Sequence, residues 1–526
     1  MKHMSSKELR LCRNTFRLSK SHVYLPEHSL VWGTESTAMF TIAGMQQLIP
    51  YLSGKEHPLG TRLFNIQKCI RTVDIDEVGD SSHCTFFEMM GNRSLGDYFK
   101  KEAVQRSWEF LIDILGFDPK KLAVTVFEWD KDAPKDNETA WYWKSIGISE
   151  DKIAYMPASN NRRSPGLIWP CGPDTEIFYW VGTTQFPPEG SNPKTDESHR
   201  LEIWNNVFME FYRDDKGQLI KLKNKNVDTW MGFERMSKVL QEKETVFDTD
   251  IFAPIIALIE KVLDVSYIWH ERRCRIIADH SRTAFFLIFN DIVPSNEWRW
   301  YVLRRLIRRM YYNFMLLNPV SKHIFDDFIN NVVKLIDDMM GVHTDIKVIS
   351  AILIKETHQF QKTISHGQKM LDELIKWSAT KNILGKDLFT LYDTFGFPLE
   401  LTKEILEEQG LNVDMVWFEQ EMVAQQERSR AWSKDMFKQG IDWSTYLQWL
   451  PPTLFVWYEN MATDTMKLLK DFEVWWQRIL IFDCTPFYAE SGGQIWDKWI
   501  VILDDWSQLN VVHVQKYNWI FLHFVS

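Results

Sequence analysis

Asp228, Gly232 and Arg235 fall within one short stretch, "VDTWMGFERMSKVL" (residues 227–240), where a strand-like segment gives way to an amphipathic run. A carboxylate at a strand end can hold an ammonium group, and an arginine opening a helix can neutralise nucleotide phosphates or stack on a base. The same two residues could equally form a structural ion pair. Trp230 stands between them, a bulky indole where close approach of the backbone to a ligand calls for glycine. A second stretch, "TFFEMMGNRSLGDYF" (85–99), reads as strand, glycine turn and strand. It would place Glu88 and Asn92 on one surface with sharp bends at Gly91 and Gly96, although an ordinary hairpin has the same signature. In "WPCGPDTEIFYW" (169–180), two prolines around Gly172 predict a rigid loop feeding a strand that carries Asp174 and Glu176. Two acids so close could hold Mg²⁺ or a ligand amine, or Asp174 could simply cap a turn. Finally, "RRLIRR" sets Arg304 with Arg308, and Arg305 with Arg309, at i, i+4 spacing. Four such charges repel one another unless they meet anions, either a nucleic-acid backbone or acids elsewhere in the fold.

The elements that must position these residues follow from periodicity. "LAVTVFEW" (122–129) and "LEIWNNVFMEFY" (201–212) read as strands, and "GDYFKKEAVQRSWEFLIDIL" (96–115) reads as one amphipathic helix. Mixed strands and helices without a regular βαβ beat predict an α+β fold over residues 1–245. Residues 246–445 turn helical, with 3.6-residue periodicity in "NEWRWYVLRRLIRRMYYNFMLL" and "HIFDDFINNVVKLIDDMM". "DLFTLYDTFGFPLELTKEILEEQG" predicts a turn at Gly396–Pro398 and a helix closed by Gly410. Residues 446–526 alternate apolar and polar side chains and read as β-rich.

Bulk properties narrow the class. The net charge of −10 argues against a generally basic nucleic-acid coat but allows a local basic groove. The six cysteines (12, 69, 84, 171, 274 and 484) include no CxxC pair for zinc and suggest no disulfide framework. The N-terminus lacks an apolar signal core and no run reaches the length of a membrane span, so a reduced, cytoplasmic, soluble protein is expected. One count is abnormal. The chain has 24 tryptophans but only 23 glycines, where about 37 glycines would be ordinary.

Together the motifs resemble the alanyl-tRNA synthetase family of class II aminoacyl-tRNA synthetases. The resemblance runs almost the whole chain in collinear order: "TIAGMQQL", "TFFEMMGNRSLGDYF", "PCGPDTEIFY", "LEIWNNVFMEF", "VDTWMGFERM", "ADHSRTA", "PSNEWRWYVLRRLIRR", "LYDTFGFPLELT" and "TPFYAESGGQ". It implies an antiparallel class II catalytic domain over residues 1–245 that uses ATP and Mg²⁺ to activate alanine as alanyl-adenylate. The alanine would then pass to the 3′ end of tRNA(Ala). Asp228 would hold the ammonium of alanine, and Arg235 would face ATP. Glu88 and Asn92 belong to the second class-defining motif. Met45, Asn205 and Val227 lie in segments lining the small pocket, with Trp230 and Gly232 beside the nucleotide and Arg163 at a tryptophan position of the site wall. Over residues 246–445 the resemblance implies acceptor-stem recognition, with Asn296 and Asp393 reading the G·U pair and Arg304, Arg305 and Arg308 holding the backbone. Residues 446–526 would be the leading part of the editing region. The family's editing zinc ligands and C-terminal dimerising domain are not in this sequence, so zinc is not expected and the oligomeric state is left open.

The departures from the family pattern are orderly. Trp129, Trp169, Trp230, Trp300, Trp417, Trp457, Trp496 and Trp499, with Trp298 as a further case, stand where the family carries glycine. Arg93, Arg162 and Arg163 stand where it carries aromatic residues. A genetic code in which UGA means glycine and CGG or CGA means tryptophan would produce both exchanges. The rival reading is decay into a catalytically inactive, synthetase-like tRNA-binding protein. A genuine tryptophan at 230 predicts failed ATP binding, with added strain if that position needs φ > 0. The loop "GDSSHC" also lacks the arginine that many members carry before "TFFE", leaving Arg71 or His83 as substitutes.

Overall fold

In the computed structural model, residues 32–38, 131–133, 164–168, 215–217, 296–297, 319–323, 378–381, 394–398, 419, 422–445, 448–449, 456–465, 475–476, 488–498, 503–507, 518–519 and 526 lie outside the described residues. The chain divides into two compact units, Met1–Ile292 with Arg309–Ala351, and Val293–Arg308 with Ile352–Ser526.

The first unit is built on one mixed sheet. Its strands are β1 (Val23–Tyr24), β2 (Arg62–Ile70), β3 (Phe86–Leu95), β4 (Leu122–Phe127), β5 (Ile153–Met156), β6 (Arg162–Arg163), β7 (Trp169–Trp180), β8 (Arg200–Arg213) and β9 (Leu219–Gly232). Their order is β1-β2-β3-β9-β8-β7-β4-β5, with β6 paired to β7. Every pair from β2 to β4 along this path is antiparallel, and only the outer pairs β1–β2 and β4–β5 are parallel. The pleat of each strand sends successive side chains to opposite faces of the sheet, and the two faces have different tasks.

Helix α1 (Ser6–Ser19) opens with a capping box, Ser5 bonding the Glu8 amide while Glu8 bonds back to the Ser5 amide. Helix α2 (Lys100–Glu109) covers part of the expected 96–115 helix. The chain begins the helix only after Gly96 turns at φ +71°, and the last turn, Phe110–Ile114, widens to a π-helix. Leu111 and Leu115 are fully buried by that turn. Helix α3 (Phe233–Leu240) begins at Gly232 and directly continues β9.

Two expected loops are strand instead. β3 runs unbroken through Gly91, so "TFFEMMGNRSLGDYF" is not a hairpin about Gly91, and the reversal comes at Gly96. The "PCGP" segment lies within β7, where Gly172 is needed because a Cβ would run into the carbonyl oxygen of Phe208 on β8. A bulge between Cys171 and Asp174 accommodates the prolines.

The helical stretch contains helices Ala253–Leu263, Glu271–Phe289, Trp298–Leu317, Phe325–Met340, Ile346–Trp377, Gly385–Asp393 and Leu399–Glu408. Gly410 closes the last of these at φ +71°, and the expected turn at 396–398 lies outside the described residues. The C-terminal stretch forms a five-stranded antiparallel sheet in the order Leu468–Val474, Gln477–Phe482, Ile520–Val525, Gln508–Tyr517, Trp499–Ile502. Its two faces bury separate apolar clusters, one around Leu480 and Val514 and one around Ile479 and Phe524.

Candidate active site

Register places two rows of side chains across five strands. One row is Leu63, Arg93, Asp228, Val207 and Asp174, and the next is Asn65, Gly91, Trp230, Asn205 and Glu176. Because strand side chains alternate, both rows share one face. Asp228, Asn205, Asp174 and Glu176 therefore converge, while Val227, on the neighbouring position of β9, falls on the opposite face. The valine beside Asp228 is Val207, which packs in a cluster with Met45 and Trp230. The motif reading missed Val207. The period-2 alternation of "LEIWNNVFMEF", which puts residues 205 and 207 together, was the available signal.

Asp228 is fully buried. Its Oδ1 accepts from Arg93 Nε at 3.0 Å and its Oδ2 accepts from Trp230 Nε1. Burial raises its pKa to about 6, with Arg93 and Trp230 opposing that rise. Arg93 also donates to Asn65 Oδ1 at 2.6 Å and lies 4.0 Å over the Trp230 ring. The two positions where sequence and family disagree most plainly are thus in contact, and together they occupy both oxygens of the carboxylate.

The indole of Trp230 reaches across the face toward Gly44 and Gly91. A Cβ on either glycine would overlap its ring. Met45, Leu48, Leu52 and Leu63 complete the surround, and the space beside Asp228 is filled. Position 230 has ordinary strand backbone and is not among the residues with positive φ. The conflict at 230 is therefore one of volume, and the expected backbone strain does not arise.

Asn205 Nδ2 bridges the two acids, donating to Asp174 Oδ2 at 2.7 Å and Glu176 Oε1 at 3.1 Å. Asp174 therefore sits inside β7 rather than capping a turn. No group of three or more metal-ligating side chains occurs among the described residues.

Arg235 does not pair with Asp228. It lies one turn into α3 and contacts Glu202 at 3.3 Å, with both side chains about one third exposed. A Cβ at Gly232 would stand in ordinary van der Waals contact with the stem of that arginine, 3.6–3.8 Å from its carbons. Arg71 lies over the Phe87 ring at 5.1 Å, and His83 is bonded to Asp80 at 2.6 Å.

Glu88 and Asn92 share a face, as expected, but it is the face away from Asp228. Glu88 is bonded to Arg10 of α1 and lies 3.5 Å from Arg282. Arg282 in turn contacts Glu234 at 2.8 Å. Asn92 donates to Tyr98 Oη at 3.1 Å and accepts from Thr229 Oγ1 at 2.7 Å. Both are locked in buried networks behind the sheet.

The second unit places Arg304 and Arg308 on one carboxylate, Glu356, at 3.2 and 3.0 Å. The anion those charges require is thus supplied, for these two, from within the chain. Burial lowers the Arg308 pKa and Glu356 counters it. Arg305 is half-buried. Arg309, in the first unit, turns inward to the Ile75 carbonyl at 2.8 Å and to His280 at 3.1 Å. Asn296 lies outside the described residues, as do the side chains of Asp393, which ends helix Gly385–Asp393, and of Arg163, whose backbone pairs with Gly172. Of the anomalous tryptophans, Trp129 is 64% exposed and Trp300 and Trp417 are half-buried. The side chains at 169, 298, 457, 496 and 499 lie outside the described residues.

No helix among the described residues is long and apolar enough to cross a membrane. The family "tRNA synthetases class II (A)" matches residues 14–526. The chain is 44% identical over 459 residues to a Treponema denticola alanine–tRNA ligase, covering 84% of this chain and 75% of that one. It is 42% identical to a Borrelia hermsii alanine–tRNA ligase, with coverages of 84% and 76%. With a Thermotoga maritima alanine–tRNA ligase it shares 40% identity over 524 residues, 95% of this chain and 59% of that one.

Proposed function

The chain belongs to the class II (A) tRNA synthetases, and from that premise we propose that it is an alanine–tRNA ligase. The observation that carries the site assignment is the buried Asp228 in a row with Val207, beside Asn205 and Met45. A buried carboxylate bounded by small and medium apolar side chains suits an ammonium group attached to a short side chain. Asp228 holds the alanine ammonium while Met45 and Val207 limit the room for its side chain. Arg235, at the mouth of the site, faces the phosphates of ATP, and Mg²⁺ arrives with the nucleotide. The alanine carboxylate attacks the α-phosphorus and pyrophosphate leaves. The terminal ribose hydroxyl of tRNA(Ala) then attacks the activated carbonyl and AMP leaves. No protein nucleophile is needed, and the protein acts by positioning and charge stabilisation.

Residues 1–245 are assigned to this chemistry in the cytoplasm, residues 246–445 to the tRNA acceptor stem, and residues 446–526 to the start of the editing region. Asn296, Asp393 and Arg305 are the acceptor-stem candidates. Arg304 and Arg308 would have to share Glu356 with the RNA backbone.

The site as printed has Arg93 and Trp230 where ligand must lie, so the active form carries glycine at 230 and an aromatic residue at 93. The test is alanine-dependent ATP–pyrophosphate exchange by the printed chain and by the Arg93→Trp/Trp230→Gly variant. The variant should exceed the printed chain by on the order of tenfold or more. A folded variant without exchange, or a printed chain already as active, would overturn the reading.

A further inference from the structure

Helix α1 lays Leu9, Arg13, Phe16 and Arg17 against the sheet. That spacing is the apolar stripe of an amphipathic helix, yet two of its four residues are arginines. They are 0% and 1% exposed. Arg13 donates from Nη2 to the Gly91 carbonyl at 2.5 Å, while its Nε and Nη1 have no partner. Arg17 likewise leaves Nε and Nη1 unpartnered. Neither pairs with a carboxylate among the described residues, and the nearby Glu109 is taken by Lys20 at 2.7 Å. What surrounds them is aromatic. Arg13 lies 5.8 Å from the Phe64 ring centre, and Arg17 lies 5.2 and 5.4 Å from those of Phe16 and Trp204.

The environment adds positive charge rather than removing it. Arg106 lies over Tyr98 at 4.0 Å and leaves a buried Nη1 without a partner. His22 is pushed down to about 3 by burial and then by Arg17, Arg106 and Arg13. Burial brings Arg17 itself down to about 10. Isolated charges are not kept in such places. Elsewhere in the fold, fully buried Arg282 has two carboxylates.

We infer that positions 13 and 17 carry tryptophan in the protein its host makes, by the same codon meaning that accounts for Arg93. Burial, missing hydrogen-bond partners and ring neighbours single out both positions. Tryptophan fits position 13 in particular because its one N–H can take over the bond to the Gly91 carbonyl. That bond would hold, from the α1 side, the strand that carries positions 91 and 93.

Two measurements test this. In the host protein, peptide mass spectrometry over residues 8–24 should read tryptophan at 13 and 17, and arginine at either would overturn the proposal for that position. In recombinant full-length chains, Arg13→Trp/Arg17→Trp should raise the urea midpoint over the printed chain. Arg13→Phe/Arg17→Phe guards against overpacking and should raise it as well. Lower midpoints for both pairs, together with a rise of several degrees in the Tm of the printed chain on adding inorganic phosphate, would mean that a buried anion belongs there and that the arginines are native.

Discussion

Two clusters of arginines lie against the sheet, one half-buried at its α1 member and one fully buried, and helix α1 contributes to both. In one, Arg10 and Arg282 meet Glu88, and Arg282 also meets Glu234. In the other, seven residues or less along the same helix, Arg13 and Arg17 meet backbone and aromatic rings. Arg282 in the first is as buried as Arg13 and Arg17 in the second. The difference is that the first has the counter-charges that make a buried ion tolerable, and the second does not. Burial alone therefore does not say whether a residue type belongs, whereas its hydrogen-bond and ion-pair partners do.

The comparison breaks first if Arg282 proves dispensable. Arg282→Met should strand Glu234 in the interior, while Glu88 keeps Arg10, and cost about 3–5 kcal/mol, read from urea unfolding at neutral pH. A cost below about 1 kcal/mol would place the network among weak surface pairs and remove the contrast.

Asp228 sits between the two cases. It has a counter-charge in Arg93, yet burial still holds its pKa up at about 6. A carboxyl raised in the folded state binds its proton more tightly there than in the unfolded chain. Its contribution is therefore present in full below the unfolded value near 4 and is lost as pH rises through about 6. The printed chain should lose about 3 kcal/mol of stability from this group between those limits, and Asp228→Asn should flatten that part of the pH–stability curve. An unchanged slope would show that Arg93 already satisfies the carboxylate.

Replacing Arg17 by phenylalanine alone should move stability the other way from Arg282→Met, a gain of about 1–2 kcal/mol. Equal losses at 17 and 282 would erase the distinction between paired and unpaired guanidinium groups.

These contrasts mark what the sequence could and could not reveal. The strand β8 and the helical stripe beyond residue 246 were legible, the first from its β-branched and aromatic residues and the second because burial of one helix face imposes a 3.6-residue period on residue type. Asp228 was legible because its segment is compact in sequence. The sides of the sheet were not. Glu88 and Asn92 were grouped with Asp228, but whether an even or odd position of β3 faces the site depends on pairing with β9, which is a long-range property. The same parity separates Val227 from Val207. The fate of Arg304 and Arg308 was hidden for a similar reason, since Glu356 lies 48 residues from the nearer of them. The anomalous Trp230 was visible as a wrong type, but only the structure put Arg93 against it.

The smallest effect sharpens the argument because it carries no charge. Helix α1 ends with Ser21 at φ +59°, its amide bonded to the Leu18 carbonyl at 3.0 Å and the His22 amide bonded to the Arg17 carbonyl at 3.1 Å. That is the Schellman arrangement, in which the left-handed residue is usually glycine. A side chain there costs roughly 1 kcal/mol, and Ser21 is exposed, so no packing offsets it. Ser21→Gly should raise stability by about 1 kcal/mol or slightly less, since glycine also loosens the unfolded chain. The gain should add to that of Arg17→Phe, because one acts through the backbone and the other through desolvation. Non-additive gains would mean that the two share a local rearrangement of the helix end. Arg17 would then owe part of its cost to the carbonyl it offers His22, and less to its buried charge.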